Sequence, residues 1–261
     1  MSTETKKHHH HKHHSSSKRK KKNHGSSTIK EIYSIANPNA PDYYIESFKM
    51  IASNIEFIAI AQECKSILVS STVPNEGKTN LSVNLSMALA GYGKRVCLVD
   101  CDLRLPSVHR LQRSPIGLTH VLKGEVSLDE AIIKHKDSDL NILLGGVIPP
   151  NPTELLASVK MQKVVEALAA RYDYVIYDTP PCLGISDVSV LGRYMDGAVL
   201  VIRHDSTDKR MVERAKSNIE NAGLKVIGAI LMEYKADSDV SNSYYYKYGG
   251  YYYGEYGEKD K

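Results

Sequence analysis

No stretch of this chain approaches the ~20 consecutive apolar residues that a membrane-spanning helix needs. An apolar segment is also missing behind the basic, His-rich start, so no secretory signal is read there, and the expected compartment is the cytoplasm. Cysteine is sparse. Cys64, Cys97, Cys101 and Cys182 form neither a Cys-x-x-Cys pair nor a metal-ligand spacing, which argues against an iron–sulfur role. Cys97 falls in an apolar strand pattern and is expected to pack as a small hydrophobe. Cys101, between two aspartates, is expected to be partly exposed.

Basic charge is confined to one end. Residues 1–24 hold seven Lys and one Arg against Glu4, a net of +7, which leaves −3 for the other 237 of a chain whose total is +4. A nucleic-acid-binding core is therefore not expected. Lys18-Arg-Lys-Lys-Lys22 reads first as a solvated charge run, and second as a segment near anionic lipid or nucleic acid. The histidines at 8–11, 13 and 14 have the composition of a divalent-metal tract and are left out of the fold.

The 261 residues suffice for one substantial α/β domain with tails. Three segments are expected: a disordered basic tail over 1–28, a folded domain over 29–234 and a flexible Tyr-rich tail over 235–261. Within the domain, Ile45, Phe48, Ile51, Ile55 and Ile58 recur at helical spacing and predict a helix over 42–60, with Asp42 as its N-cap. From Lys65 the pattern becomes strand, loop and helix, repeated. Strands are predicted over 66–71, 95–100, 140–144, 174–177, 197–202 and 225–232. Helices are predicted over 79–90, 153–172 and 208–222, the second opening at Asn151-Pro152-Thr153. Such alternation implies right-handed crossovers and a mainly parallel sheet with helices on both faces.

Three motifs fall at strand ends, where open α/β sheets bind ligands. Ser70-Ser-Thr-Val-Pro-Asn-Glu-Gly-Lys-Thr79 lies between an apolar strand and a helix, as a phosphate-binding loop does. Its backbone N–H groups and the helix N-terminus cradle phosphate oxygens. Gly77 permits close backbone approach, Lys78 supplies a point charge and the Thr79 hydroxyl suits Mg²⁺. Thr72 stands where the usual pattern has its first glycine. Pro74, Asn75, Glu76, Gly77, Lys78, Thr79 and Asn80 are thus the candidate nucleotide-binding residues. In the second motif, Asp100 and Asp102 leave a buried strand two residues apart and suit metal ligation or proton acceptance. Asp178, which opens Asp178-Thr-Pro-Pro181, ends another buried strand and suits Mg²⁺.

The chain resembles the bacterial tyrosine kinases (BY-kinases), P-loop enzymes of capsule and exopolysaccharide export. The resemblance rests on Pro74-Asn-Glu-Gly-Lys-Thr79, Asp100-Cys-Asp-Leu-Arg-Leu-Pro106, Asn151-Pro-Thr-Glu-Leu-Leu156, Asp178-Thr-Pro-Pro181 and a tail dense in tyrosine. It implies a P-loop NTPase-type fold and transfer of the ATP γ-phosphoryl to tyrosine, with ATP and Mg²⁺ as cofactors. Lys78, Asp100, Asp102 and Asp178 are the implied catalytic residues. Thr79, Asp100, Asp102 and Asp178 are the candidate metal ligands, with Asp100 the first choice of base. The implied acceptors are Tyr244, Tyr245, Tyr246, Tyr248, Tyr251, Tyr252, Tyr253 and Tyr256.

The resemblance also implies a membrane-anchored activator (a polysaccharide co-polymerase), a homo-oligomeric ring and a cognate phosphotyrosine phosphatase. The expected location is the inner face of the plasma membrane, reached through the activator. One departure bears on the ring. The family's Glu-x-x-Arg-x-x-Arg in the first helix reads here with Glu46, Lys49 and Ala52. The nearest alternative is a partition or division-site ATPase of the same fold. Such proteins carry a signature lysine five positions before the loop lysine, where this chain has Val73. A non-catalytic module with an adhesive tyrosine tail would not need both carboxylate motifs.

Overall fold

Seven strands form one sheet in a computed structural model that describes residues 32–233. They are β1 (Ser66–Ser71), β2 (Val96–Asp100), β3 (Ile132–Lys134), β4 (Asn141–Leu143), β5 (Tyr174–Asp178), β6 (Gly197–Arg203) and β7 (Val226–Met232). Their order is β3-β4-β2-β5-β1-β6-β7. All neighbours are parallel except β3, which runs antiparallel to β4 at the edge.

The central strands are buried along their whole length, which is why they read as unbroken apolar runs. Alternation along each strand divides the core in two. Ile67, Val69, Val96, Leu98 and Ile176 point to one face, where α1 (Asp42–Ala61) and α2 (Lys78–Gly91) cover them. Leu68, Cys97, Val99, Val175 and Tyr177 point to the other. There they meet α3 (Leu118–Lys123), α6 (Val159–Arg171), α7 (Asp187–Gly192) and α8 (Lys209–Asn221). Two further short helices, α4 (Leu128–Ala131) and α5 (Pro152–Leu156), lie in the connections on either side of β3 and β4. The architecture is the α/β, P-loop NTPase type expected from the sequence.

Helix α2 is buried almost all round from Leu81 to Ala90, because it is pressed between the sheet and α1. Its small residues, Ser82, Ser86, Ala88 and Ala90, allow that approach. Helix α1 buries Phe48, Ala52, Ile55 and Ala59, so its buried stripe includes two alanines that the isoleucine pattern left out.

Four expectations change. Asp42 is the first helical residue of α1 and not its N-cap. Pro41, extended at φ −64° and ψ 145°, occupies the cap position, and no side chain caps it. Asp42 instead adds an acidic group to the first turn, favourable to the helix dipole. Second, the single helix expected over 153–172 is two. Ser158 adopts an extended backbone and its hydroxyl accepts the Met161 N–H, a local bond that competes with continuing the helix. Third, Cys101 is fully buried, because alternation turns it into the apolar layer while Asp100 and Asp102 face the opposite way. Fourth, β3, α3, α4 and α7 carry no clear periodicity and were not predicted; each has only three to six residues.

Candidate active site

The loop between β1 and α2 crosses the C-terminal edge of the sheet. Two residues on it take positive φ, Asn75 at +67° and Gly77 at +89°. A side chain at Gly77 would be strained by that conformation and would meet Met232 Cε at 3.4 Å. Pro74 and Asn75 are exposed at the apex. Glu76 is buried, and its carboxylate accepts the Val73 N–H at 2.9 Å and the Thr207 hydroxyl. Its side chain thus ties the loop to the segment after β6. The Ser71 hydroxyl donates to Val73 O at 2.8 Å, and Arg203 Nη1 donates to Asn75 O at 3.4 Å. The Asn80 side chain turns away from the loop and bonds Tyr33 O and the Tyr44 hydroxyl.

Strand pairing brings the acidic motifs together. Asp100 and Asp178 are direct neighbours in the β2/β5 register, so both carboxylates leave the sheet at one place. The Thr79 hydroxyl donates to Asp178 Oδ2 at 2.7 Å, and the Ser82 hydroxyl donates to Oδ1 at 3.2 Å. Lys78 Nζ lies 3.0 Å from Asp102 Oδ2. Lys78, Thr79, Asp100, Asp102 and Asp178 therefore form one buried cluster.

Asp100 is the most committed of the three acids. Its Oδ2 accepts the N–H groups of Ser107 and Val108, both at 3.0 Å, and its Oδ1 accepts the Asp102 N–H at 3.2 Å. Asp102 also accepts the Leu105 N–H, at 3.0 Å. The turn from 100 to 108 is thus wound around its own aspartates.

Charge in the cluster is unbalanced, with three carboxylates around one lysine. Burial first, then the neighbouring Asp178, pushes Asp100 up to about 7, against the Val108 N–H that favours its charged form. Burial likewise raises Asp178, opposed by Lys78 and the Thr79 hydroxyl. For Lys78, burial works against the charge, but Asp178 and Asp102 outweigh it and the net shift is upward.

Sequence reasoning missed a second layer. Arg104 Nε and Nη2 donate to the two oxygens of Asp187, at 2.8 and 3.1 Å, and Nη2 also donates to the Thr153 hydroxyl at 2.9 Å. This joins the Asp100–Pro106 motif to α5 and α7. Arg104 and Thr153 belong to motifs legible in the sequence, but nothing in the sequence pairs either with Asp187.

Among the described residues, no three His, Cys, Asp or Glu side chains converge into a group that could hold a metal alone. The Thr79–Asp178 oxygen pair instead suits a hard cation that takes one or two protein carboxylates and completes its shell with phosphates and water. Magnesium fits that donor set. None of the described helices is long and apolar enough to cross a membrane. In α1, Glu46 and Lys49 pair at 2.8 Å on the surface, whereas Ala52 is 0% exposed. The basic tail, the His tract and all eight candidate acceptor tyrosines lie outside the described residues.

A strand, a phosphate-type loop and a buried helix, with two acid-bearing strands beside them, define a P-loop nucleotide-binding domain. Consistent with this, the AAA domain family matches residues 64–206, more than half of the chain. The chain belongs to the bacterial tyrosine-protein kinases. It is 36% identical over 223 residues to tyrosine-protein kinase YwqD of Bacillus subtilis (strain 168), covering 85% of this chain and 93% of the relative. It is 33% identical over 219 residues to tyrosine-protein kinase CpsD of Streptococcus agalactiae, covering 83% and 91%. The solved chimerical protein CapA2B2 is 30% identical and superposes with a TM-score of 0.69, over 77% of this chain and 93% of that one.

Proposed function

We propose that the chain transfers the γ-phosphoryl group of Mg²⁺-bound ATP to tyrosine hydroxyls, first of all those at 244–256 in its own tail. The observation that carries this reading is the Lys78–Asp102 ion pair set beside the Thr79–Asp178 hydrogen bond. One pair offers a cation to phosphate and a carboxylate to an incoming hydroxyl, and the other offers hard oxygens to a metal.

The chemistry follows from those atoms. Backbone N–H groups at 74–79 and the N-terminus of α2 hold the β- and γ-phosphates. Lys78 turns from Asp102 to the phosphates, where its charge offsets the charge that builds during transfer. Bound Mg²⁺ would supply further charge neutralisation at Thr79 and Asp178. Asp102, freed of Lys78, accepts the phenolic proton as the tyrosine oxygen bonds to the γ-phosphorus and the bond to ADP breaks. Asp102 is preferred here to Asp100 as the base, because three backbone N–H groups already occupy Asp100. Asp100 then serves mainly to shape the turn.

The family's biology completes the reading. The enzyme regulates capsular or exopolysaccharide synthesis and export. It sits at the inner face of the plasma membrane through a membrane-anchored activator and assembles as a ring that tail phosphorylation disperses, each phosphate adding about −1.5 to −2 charge. A phosphotyrosine phosphatase resets it, and nucleic acid is not a partner. The test is incubation of the purified chain with γ-labelled ATP and Mg²⁺, with and without an activator-derived peptide, followed by phosphoamino-acid analysis. Labelled phosphotyrosine is expected. ATP hydrolysis with no labelled tyrosine under either condition would overturn the reading in favour of a plain ATPase.

A further inference from the structure

Arg104, Thr153 and Asp187 come from three separate segments and close a triangle of hydrogen bonds. Arg104 donates twice to Asp187 and once to Thr153, and the Thr153 hydroxyl itself donates to Asp187 Oδ1. Asp187 is 0% exposed, whereas the Arg104 side chain is 40% exposed. One residue beyond Arg104, the Leu105 N–H donates to Asp102 Oδ1. The other oxygen of that carboxylate holds Lys78.

We propose that Arg104 is a positioning residue for phosphoryl transfer. Asp187 and Thr153 lock its guanidinium, and the locked side chain fixes the 102–105 turn so that the Asp102 carboxylate is aimed at Lys78 and the reacting hydroxyl. The proposal rests on the kinase reading above and adds to it a tether between Asp102 and the helices α5 and α7.

Stability alone is a poor explanation for the triangle. An ion pair with one partner partly exposed adds little net stability, because solvent screens it and the buried carboxylate still bears a desolvation cost. A planar fork bonded at both carboxylate oxygens adds what apolar packing lacks, a fixed orientation. Lysine would keep the charge beside Asp187 but cannot make the same two parallel bonds. The position acts through Asp102, since Arg104 makes no described bond to Lys78, Thr79 or Asp178.

The test uses the full chain and compares wild type, Arg104→Lys, Thr153→Val, Asp102→Asn and the Asp102→Asn/Arg104→Lys double variant. Arg104→Lys should lower kcat for tail phosphorylation by about 10- to 100-fold, the range typical of residues that orient a site group. The KM for ATP should stay within about threefold, a pattern of lost transition-state alignment. Thr153→Val should move kcat the same way by less. Because Arg104 works through Asp102, adding Arg104→Lys to Asp102→Asn should slow the enzyme no further. A merely structural residue would slow both backgrounds by the same factor, and that result overturns the proposal. A kcat within twofold of wild type for Arg104→Lys also overturns it.

Amide hydrogen exchange reads the tether without activity. The Leu105 N–H should exchange at least about tenfold faster in Arg104→Lys, while the strand amides of β1 and β5 keep their protection. Unchanged Leu105 exchange contradicts the proposal. Failure of wild type to label tyrosine would count against the kinase reading, and Leu105 exchange would still decide the tether.

Discussion

Lys78 and Asp102 form an ion pair, 3.0 Å apart and largely shielded from solvent. In the proposed mechanism the lysine turns from that carboxylate toward the phosphates. On that reading, binding of ATP frees the acid that the transfer step needs.

Replacing Lys78 by methionine should abolish phosphotyrosine formation. The lysine is buried against Asp102 and Asp178, so the change should also lower stability, by up to about 3 kcal/mol, because it leaves carboxylates uncompensated. Urea unfolding with circular dichroism checks the second effect, and an anti-phosphotyrosine blot checks the first. Residual tail labelling with ATP as sole donor would remove Lys78 from the mechanism.

The two aspartates of the second motif should behave differently. Asp102→Asn is expected to cut kcat by at least ~10²-fold, a scale suited to loss of a positioned base, with a small effect on stability. Asp100→Ala deprives three backbone N–H groups of their acceptor, and each such orphan costs about 1–3 kcal/mol. Its main signature should be a lower urea midpoint. If Asp102→Asn keeps normal rates, proton acceptance lies elsewhere.

Stability of the nucleotide-free protein should fall as pH rises. Burial pushes Asp100 from the ordinary aspartate value of 3.8 up to about 7 in the fold, and Asp178 is also raised. A carboxyl raised in the folded state binds more protons folded than unfolded. Its contribution is complete below 3.8 and is lost as pH rises through about 7. Unfolding free energies measured at steps between pH 4 and 8 should decline over that window, and Asp100→Asn should flatten the decline. A wild-type curve rising through the window would contradict the charge balance described for the cluster.

Restoring the family's second arginine should not strengthen assembly. Ala52 lies on the buried face of α1, so Ala52→Arg forces a charged side chain into packed space and should destabilise by about 3 kcal/mol or more. Denaturant unfolding reads that loss. Sedimentation showing a firmer oligomer with unchanged stability would mean that α1 sits differently.

Much of this was legible in the sequence, for physical reasons that differ by element. The buried strands are continuous apolar runs, and the loop glycine and lysine have few alternatives at a strand-to-helix junction. Ser158 was not recognised because a capping hydroxyl inside an apolar-periodic stretch leaves the period intact. Cys101 was misjudged because its acidic neighbours suggested solvent, whereas strand alternation decides its face. Asp187 was invisible because its partner lies 83 residues away, and only the fold brings the two together.

The Lys78/Asp102/Asp178 site is expected to phosphorylate the tyrosine tail. Transfer is expected in trans, from one copy to the tail of another, with no single tyrosine essential. The direct measurement mixes full-length Lys78→Met protein with active protein lacking residues 244–261, adds ATP and Mg²⁺, and maps phosphate by mass spectrometry. Phosphate is expected on several of Tyr244, Tyr245, Tyr246, Tyr248, Tyr251, Tyr252, Tyr253 and Tyr256 of the inactive partner. An unlabelled partner, in a mixture where full-length wild type labels itself, would contradict it.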